Sequence, residues 1–430
     1  MSNISKSHQE SQEPLVSVNL VVYNGGKYIR QCLDSVLAQT YRNFELNILD
    51  NNSSDNTVAL IETFLSERGF LKKDFLSQNF LNQNSLNHFL NQNSLNSSTK
   101  NDPIFSSPRP IDISIYQYGG GIGEEKSLVK LIKLGRNLGT WPGQEELLKY
   151  SRGEYIVALS VDVILDENFV AEAVKVFEQD EKIGAVQGKI YKLNLSQLET
   201  KNWKLEANTI DTCGFRIFRS RRVINIGHGE IDHGQYDKEI FSSAEAGEDI
   251  ARTYFSQIFA VEGAAPVLRR QALEDCRLKS QDDKIIDPDF FWYGDDLDIG
   301  WRMRLFGWKE VLAPKVIAWH DRQTTKSLAG GSWREFIKIR KRIPMFKRRL
   351  DWRNTTLAII KNDFAVNFLR DLPFIFWRQL RLWFYFLLFE PRMILEIFNI
   401  AKLLPKMLKR RSEIMKRARV SAREIRKWFG

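Results

Sequence analysis

The sequence predicts an α/β fold, a mostly parallel, Rossmann-like sheet with flanking helices, followed by an amphipathic helical tail. Three observations carry this. Short β-branched and aliphatic runs alternate with helix-length segments over residues 16–191, and strands joined by helical crossovers pair in parallel. Several of those runs end on polar residues, Asn24, Asp50 and Asp162 among them, which is where parallel sheets hold their ligands. Beyond His320 the pattern becomes helical, with aromatic and basic residues interleaved.

The elements follow in order. Residues 1–14 are polar and read as a disordered leader without the apolar stretch of a secretory signal. Residues 16–24 and 44–50 read as two strands. Between them Tyr28, Cys32, Val36 and Leu37 recur at helical spacing, with Gly25-Gly26 before the helix and Thr40 closing it. Residues 74–110 turn rich in Asn, Gln and Ser, and Phe-Leu-Asn-Gln-Asn-Ser-Leu-Asn at 80–87 recurs at 89–96. Two copies are too few for a solenoid and too polar for a core, so this is a low-complexity insertion in a surface loop. The sheet resumes at 112–116 and 128–132. Gly135-Arg136-Asn137-Leu138-Gly139-Thr140-Trp141 then opens a helix over 142–150. A strand over 153–163 contains Asp162, and a helix over 168–179 and a strand over 183–191 follow. Residues 242–256 read as an extension, and a last strand over 308–319 leads to His320. Tail helices are predicted over 333–347, 353–361, 364–369 and 374–389. The domain division is therefore 1–14, 15–325 and 326–430.

The chain has 430 residues, 43% of them hydrophobic, and a net charge of +10. From Leu404 onward ten basic residues face two acidic ones, so the body is close to neutral. A nucleic-acid binder would spread its basic residues over a reading surface. Here they sit in the tail, beside the apolar octet at 382–389. Arg370, Asp371, Arg378 and Arg381 interrupt the apolar stretches, leaving none near the roughly 20 residues that span a bilayer. The expectation is a cytoplasmic protein lying peripherally on the inner face of the membrane, with a helix packed on the body as the alternative. Cys32, Cys213 and Cys276 have no paired spacing, which fits a reducing compartment. The glycine cluster at 119–123 does not fit a dinucleotide fingerprint.

Tyr23-Asn24, Ala38-Gln39-Thr40-Tyr41 and Asp50-Asn51-Asn52-Ser53-Ser54-Asp55 resemble the opening motifs of family 2 glycosyltransferases, and Asn137-x-Gly139 and the strand leading to Asp162 match its next landmarks. The resemblance implies a GT-A fold over roughly 15–320. It implies transfer of a sugar, with inversion expected, from a nucleotide-diphospho-sugar donor to a hydroxyl of a glycan or lipid-linked precursor in cell-surface polysaccharide biosynthesis. No nucleic-acid partner is expected. Tyr23, Asn24, Asp50, Asn52, Asn137 and Gly139 are the implied donor-binding residues.

The family's metal-binding Asp-x-Asp is Ser160-Val161-Asp162 here, so Asp162 is the carboxylate ligand and His320 the implied imidazole. Mg²⁺ or Mn²⁺ is the expected cofactor, because such ions also take phosphate and water oxygens. A lone Asp after a strand also serves as a helix cap, and a lone His as a structural residue. In Asp289-Phe290-Phe291-Trp292-Tyr293-Gly294-Asp295-Asp296-Leu297-Asp298 the family places an aromatic acceptor wall, here Trp292 and Tyr293, before an acidic pair. The second acid, Asp296, is the implied catalytic base, with Asp295 beside it. Crowding among Asp295, Asp296 and Asp298 is expected to raise one of their pKa values. Glu262-Gly263-Ala264-Ala265-Pro266-Val267-Leu268-Arg269-Arg270 resembles the family's strand into this site, and residues 227–237, with His228 and His233, its polar loop over the donor. Arg353-Asn354 and Lys361-Asn362 resemble the tail of rhamnosyltransferase-like members. The rival readings are a non-catalytic basic protein binding membranes or nucleic acid, and a nucleotidyltransferase on a related fold.

Overall fold

The computed structural model describes residues 13–73, 110–118, 128–193, 208–237, 240–241, 252–253, 255–322, 337, 340–341 and 343–430. The leader through residue 12, nearly all of the Asn/Gln-rich insertion, the glycine cluster at 119–123, most of the extension at 242–256 and most of the predicted helix at 333–347 lie outside them.

The strands are β1 Val16–Val22, β2 Phe44–Asp50, β3 Phe70–Lys73, β4 Pro110–Tyr118, β5 Leu128–Leu134, β6 Tyr155–Ser160, β7 Val163–Leu165, β8 Ile183–Lys192, β9 Ile210–Thr212, the short β10 Phe215–Ile217, β11 Val223–Asn225, β12 Ile240–Phe241, β13 Arg252–Thr253 and β14 Ser256–Gln257, then β15 Val267–Arg269 and β16 Lys309–His320. The helices are α1 Ile29–Leu37, α2 Thr57–Glu67, α3 Thr140–Leu148, α4 Phe169–Gln179, α5 Arg270–Asp275 and α6 Asp295–Leu305, then α7 Met345–Asn362, α8 Ala365–Arg370, α9 Leu372–Phe389, α10 Glu396–Arg417 and α11 Ala422–Arg426. Strands β5, β2, β1 and β6 lie side by side in parallel, as do β8 and β16. Between the two groups β15 runs antiparallel to β6 and β8.

Alternation along each strand builds the layers. On β1, Val16, Val18, Leu20 and Val22 pack with Ile29, Leu33 and Val36 of α1 and Phe64 of α2. The opposite face carries Asn19, whose carboxamide oxygen accepts from Asn47 (3.0 Å) and Ser151 (2.8 Å), a buried polar cluster in which Ser151 ties the loop before β6 to β1 and β2. A second core joins α5 and α6 to Leu357, Ala358, Met407, Ile414, Ile425 and Phe429. The tail therefore shares a core with the sheet-bearing body, and part of its positive charge turns inward: Arg410 pairs with Asp287 (2.8 Å) and Asp289 (2.7 Å), and Arg426 with Asp371 (2.9 Å).

Three element boundaries differ from the sequence expectation. The strand predicted over 153–163 breaks after Ser160, because Val163–Leu165 leaves β6 to pair antiparallel with the end of β16, which places Asp162 in the intervening turn. The residues predicted as a helix over 353–361 belong to the 18-residue α7. The 22-residue α10 was not anticipated; Pro405 lies inside it, and a proline reads as a helix break.

Glu310 of β16 is buried beneath α6, where Gly300 leaves room for it: a Cβ at 300 would lie 2.9 Å from its carboxylate. It accepts the Val261 N–H at 2.8 Å. Burial, only partly offset by Arg304, pushes its pKa up to about 7. A carboxyl with a raised folded-state pKa binds more protons folded than unfolded, so its contribution to stability falls as pH climbs from the unfolded value toward 7. Glu310→Gln is therefore expected to raise the melting temperature at pH 8 and leave it nearly unchanged at pH 4.5, a difference of roughly 3 kcal/mol. Thermal melts of both proteins at the two pH values check this.

Candidate active site

The residues expected on the donor side, Tyr23, Asn24, Asp50 and Asn52, gather at the carboxyl ends of β1 and β2. Asn24 and Asn52 both adopt positive φ, 48° and 67°, a conformation asparagine tolerates better than most residues. The Asn24 side chain accepts the Ser54 N–H (2.8 Å), Asp50 accepts the Ser53 N–H (3.2 Å), and Asp55 the N–H groups of Gly26 (3.3 Å) and Thr57 (3.0 Å). Tyr23 stands half exposed beside them. Asn51, not singled out from the sequence, is buried and accepts the Leu138 N–H (2.8 Å) while donating to the Gly139 carbonyl (3.0 Å). It thus fastens the loop carrying Asn137 and Gly139 to the end of β2. Gly139 has φ +93°, and a Cβ there would lie 2.0 Å from the Phe291 carbonyl oxygen, so only glycine lets this loop meet the aromatic segment.

At the end of β6, Asp162 and His320 come together, with His320 Nε2 at 3.4 Å from the Asp162 carboxylate. Behind the imidazole lies Asp211, buried, 2.9 Å from His320 Nδ1 and 2.8 Å from Arg322 Nε, with its carbonyl 2.7 Å from His228 Nδ1. Burial opposes the imidazolium of His320, but Asp162 and Asp211 outweigh it and hold its pKa up to about 10. Burial also opposes ionisation of Asp211; His228, His320 and Arg322 overcome it and keep that carboxylate far below its usual range. Arg322 reaches onward to Glu262 at 3.0 Å. Asp211, Arg322 and Glu262 were missed as functional residues because β9 and β16 come near one another only by pairing with β8 from its two sides. His233 lies in the neighbouring turn, its N–H donating to Gln235.

Glu262 is followed by Gly263, whose N–H donates to the Asp296 carboxylate at 3.2 Å. A Cβ on Gly263 would sit 3.2 Å from that oxygen and 3.0 Å from the Trp141 indole nitrogen. The next residue, Ala264, accepts the Ser160 N–H at 3.2 Å. A single short segment therefore joins the Asp162/His320 group to Asp296.

The two adjacent acids at the start of α6 are not equivalent. Asp296 is part-exposed. Asp295 is buried, and neither of its oxygens has a hydrogen-bond partner among the described residues. Burial, reinforced by the charges of Asp296, Asp298 and Asp287, holds its pKa well above the carboxylate range. The crowding expected from sequence thus falls on Asp295, whose carboxyl is buried, whereas Asp296 is part-exposed. Asp298 behaves oppositely. Burial disfavours its charge, yet Arg302 and Lys361 hold its pKa down to about 2.

The aromatic wall is held from the tail. Phe291, Tyr293 and Gly294 all have positive φ, 65°, 68° and 79°, and such strained backbone persists only where its surroundings fix it. Asn354 of α7 does so, donating to the carbonyls of Phe290 (2.9 Å), Trp292 (2.8 Å) and Tyr293 (2.7 Å). Trp292 stacks on Tyr293 with centroids 4.9 Å apart, and Lys347 Nζ lies 4.5 Å from the centre of the Trp292 ring.

The residues present fit a divalent cation brought in with the donor. Asp211 holds the far nitrogen of His320 and so orients the ring, and Nε2 beside Asp162 would have to give up its proton to take the ion. Among the described residues no three His, Cys, Asp or Glu side chains cluster to hold a metal unaided.

The model for "Glycosyl transferase family 2" matches residues 17–92 and that for "Glycosyltransferase like family 2" matches residues 125–342. The chain belongs to glycosyltransferase family 2. An uncharacterized glycosyltransferase of Rickettsia typhi is 47% identical over 49 residues, 11% of this chain and 15% of that protein. The poly-beta-1,6-N-acetyl-D-glucosamine synthase of Staphylococcus epidermidis is 20% identical over 335 residues, 78% of this chain and 55% of the synthase. The chain thus matches less than two thirds of the length of either relative. Among solved structures, the mannosyltransferase PcManGT of Pyrobaculum calidifontis, in complex with GDP-Man and Mn²⁺, aligns over 97% of this chain and 84% of its own at 13% identity and a TM-score of 0.42.

Gly263→Ala is expected to leave the melting temperature within a few degrees of wild type, since the added methyl requires shifts of only a few tenths of an ångström. Transfer should fall by on the order of tenfold, because those shifts displace the Asp296 carboxylate. Donor consumption and thermal melting, measured side by side, check this.

Proposed function

We propose that the chain transfers a hexosyl or rhamnosyl group from a nucleotide-diphospho-sugar to a hydroxyl of a glycan or lipid-linked glycan precursor, with inversion, in the synthesis of a cell-surface polysaccharide. The observation that supports it most is the Glu262-Gly263 link, which sets the part-exposed Asp296 opposite the Asp162/His320/Arg322 group. The family membership supplies the reaction class, and the N-acetylglucosamine polymer made by the Staphylococcus relative favours a polysaccharide product.

In this reading the nucleotide lies against Tyr23, Asn24, Asp50 and Asn52, with the Asn137–Gly139 loop closing that edge. Asp162 and His320 would hold Mg²⁺ or Mn²⁺, which supplies positive charge to the diphosphate leaving group when bound. Asp211 orients His320. Arg322 adds fixed positive charge nearby, which acts strongly where water is excluded. Trp292 and Tyr293 offer aromatic faces to the acceptor sugar, and the Asp296 carboxylate takes the proton of the attacking hydroxyl at an oxygen held by Gly263 N–H. One base and one stabilised leaving group are what a single displacement requires.

Asp296→Asn should lower turnover by about 10² or more while leaving donor affinity nearly intact, because a missing base is felt in the transition state and not in ground-state binding. Asp295→Asn should retain most of the activity, because burial removes its carboxyl from solvent and raises its pKa. The check is turnover beside calorimetric titration of the donor. Loss of activity in the Asp295 variant with retention in the Asp296 variant would reverse the assignment.

A further inference from the structure

We infer that α9 and α10 form a docking surface for an anionic lipid bilayer, on which the chain lies without crossing it. Along α9, Phe376, Trp377, Phe384 and Leu388 are 62%, 58%, 63% and 58% exposed. The exposed apolar positions 377, 380, 384 and 387–388 recur at helical spacing, so they form one stripe. On α10, Phe398 and Leu408 are likewise 71% and 50% exposed. Side chains of this size are seldom left to water in such a run. The helix is nevertheless firmly placed, since its other side packs Tyr385 and Phe386 with Met393, and Trp352 of α7 meets Trp383 and Phe386 edge-on at 5.8 and 5.2 Å.

The charges identify the occupant. Over residues 364–412 the chain has three carboxylates, Asp371, Glu390 and Glu396. All three are buried and paired inward, Asp371 with Arg219, Arg221 and Arg426, Glu390 with Arg340 and Arg348, and Glu396 with Arg349. The exposed charges in this region are all basic, including Arg370, Arg381, Arg392, Lys402 and Lys409. A second copy would set this patch against itself, as two-fold contacts do, and bring basic side chains together with no acid to meet them. Lipid phosphates complement them, while the aromatic and aliphatic side chains enter the acyl boundary. Arg378 and Arg381 lie in the middle of α9, and no helix among the described residues is long and apolar enough to cross a membrane. Lying flat is the arrangement that satisfies both facts.

The test is flotation of the full chain with phosphatidylcholine vesicles, with and without phosphatidylglycerol, which needs no donor and so stands or falls apart from the transfer reaction. Partition onto the phosphatidylglycerol vesicles should be at least about tenfold stronger and should weaken in high salt. The triple change Phe376→Ser, Phe384→Ser and Leu388→Ser, at exposed positions, should abolish binding with melting unchanged. Arg381→Glu with Lys402→Glu should remove the preference for anionic lipid. Absence of binding to either vesicle overturns the inference, as does undiminished binding by the triple variant. A dimer in solution that the triple variant converts to monomer, without vesicle binding, would assign the surface to a second copy instead.

Discussion

Two consecutive residues, Glu262 and Gly263, fix the distance between the halves of the site. The carboxylate of Glu262 pairs with Arg322, and through Arg322 with Asp211 and His320. The amide of Gly263 holds Asp296. The segment can occupy this place because β15, which follows it, runs antiparallel between two groups of parallel strands, so the chain enters at the edge where the parallel strands end. A side chain at 263 would press on Asp296 and Trp141 together, and the missing Cβ is what permits the close approach.

The second constraint lies beneath α6. Lys361 contacts Asp287 (2.8 Å) and Asp298 (2.9 Å), Arg302 returns to Asp298 (2.8 Å), and Arg410 reaches Asp287 (2.8 Å), all buried. Burying so many charges is expensive, and such clusters are often no more stable than apolar packing, yet removing one partner costs about 3–5 kcal/mol because another charge is stranded. The cluster's consequence is positional. It locks the start of α6 to α7 and α10, so the tail sets where Asp296 and the aromatic wall stand. Asp295, buried beside these charges with Asp296 and Asp298, has its pKa pushed up.

Much of this was legible in the sequence. Alternating runs pointed to the parallel sheet, Asn24, Asp50 and Asp162 were marked by their places at the ends of apolar runs, and His320 by the family resemblance. Asp211 and Glu262 were not, because their roles come from contacts with residues 109 and 60 positions away, which no local pattern encodes. Arg322 followed His320 too closely to carry a signal of its own. The difference between Asp295 and Asp296 likewise arises from helix packing, since composition makes them equal. In the tail, the apolar octet pointed to α9, but Pro405 hid α10, and the inward pairing of Arg410 and Arg426 was invisible in a count of charges.

In the proposed reading, the part-exposed Asp296 on one side and leaving-group stabilisation on the other call for one displacement at the anomeric carbon. Proton NMR of the first glycoside formed, compared with the nucleotide-sugar consumed, reads this directly. The account predicts inverted anomeric configuration from the earliest time point. Retained configuration would require a nucleophile as well as a base, and would contradict the assignment of Asp296 as the only carboxylate acting on the acceptor.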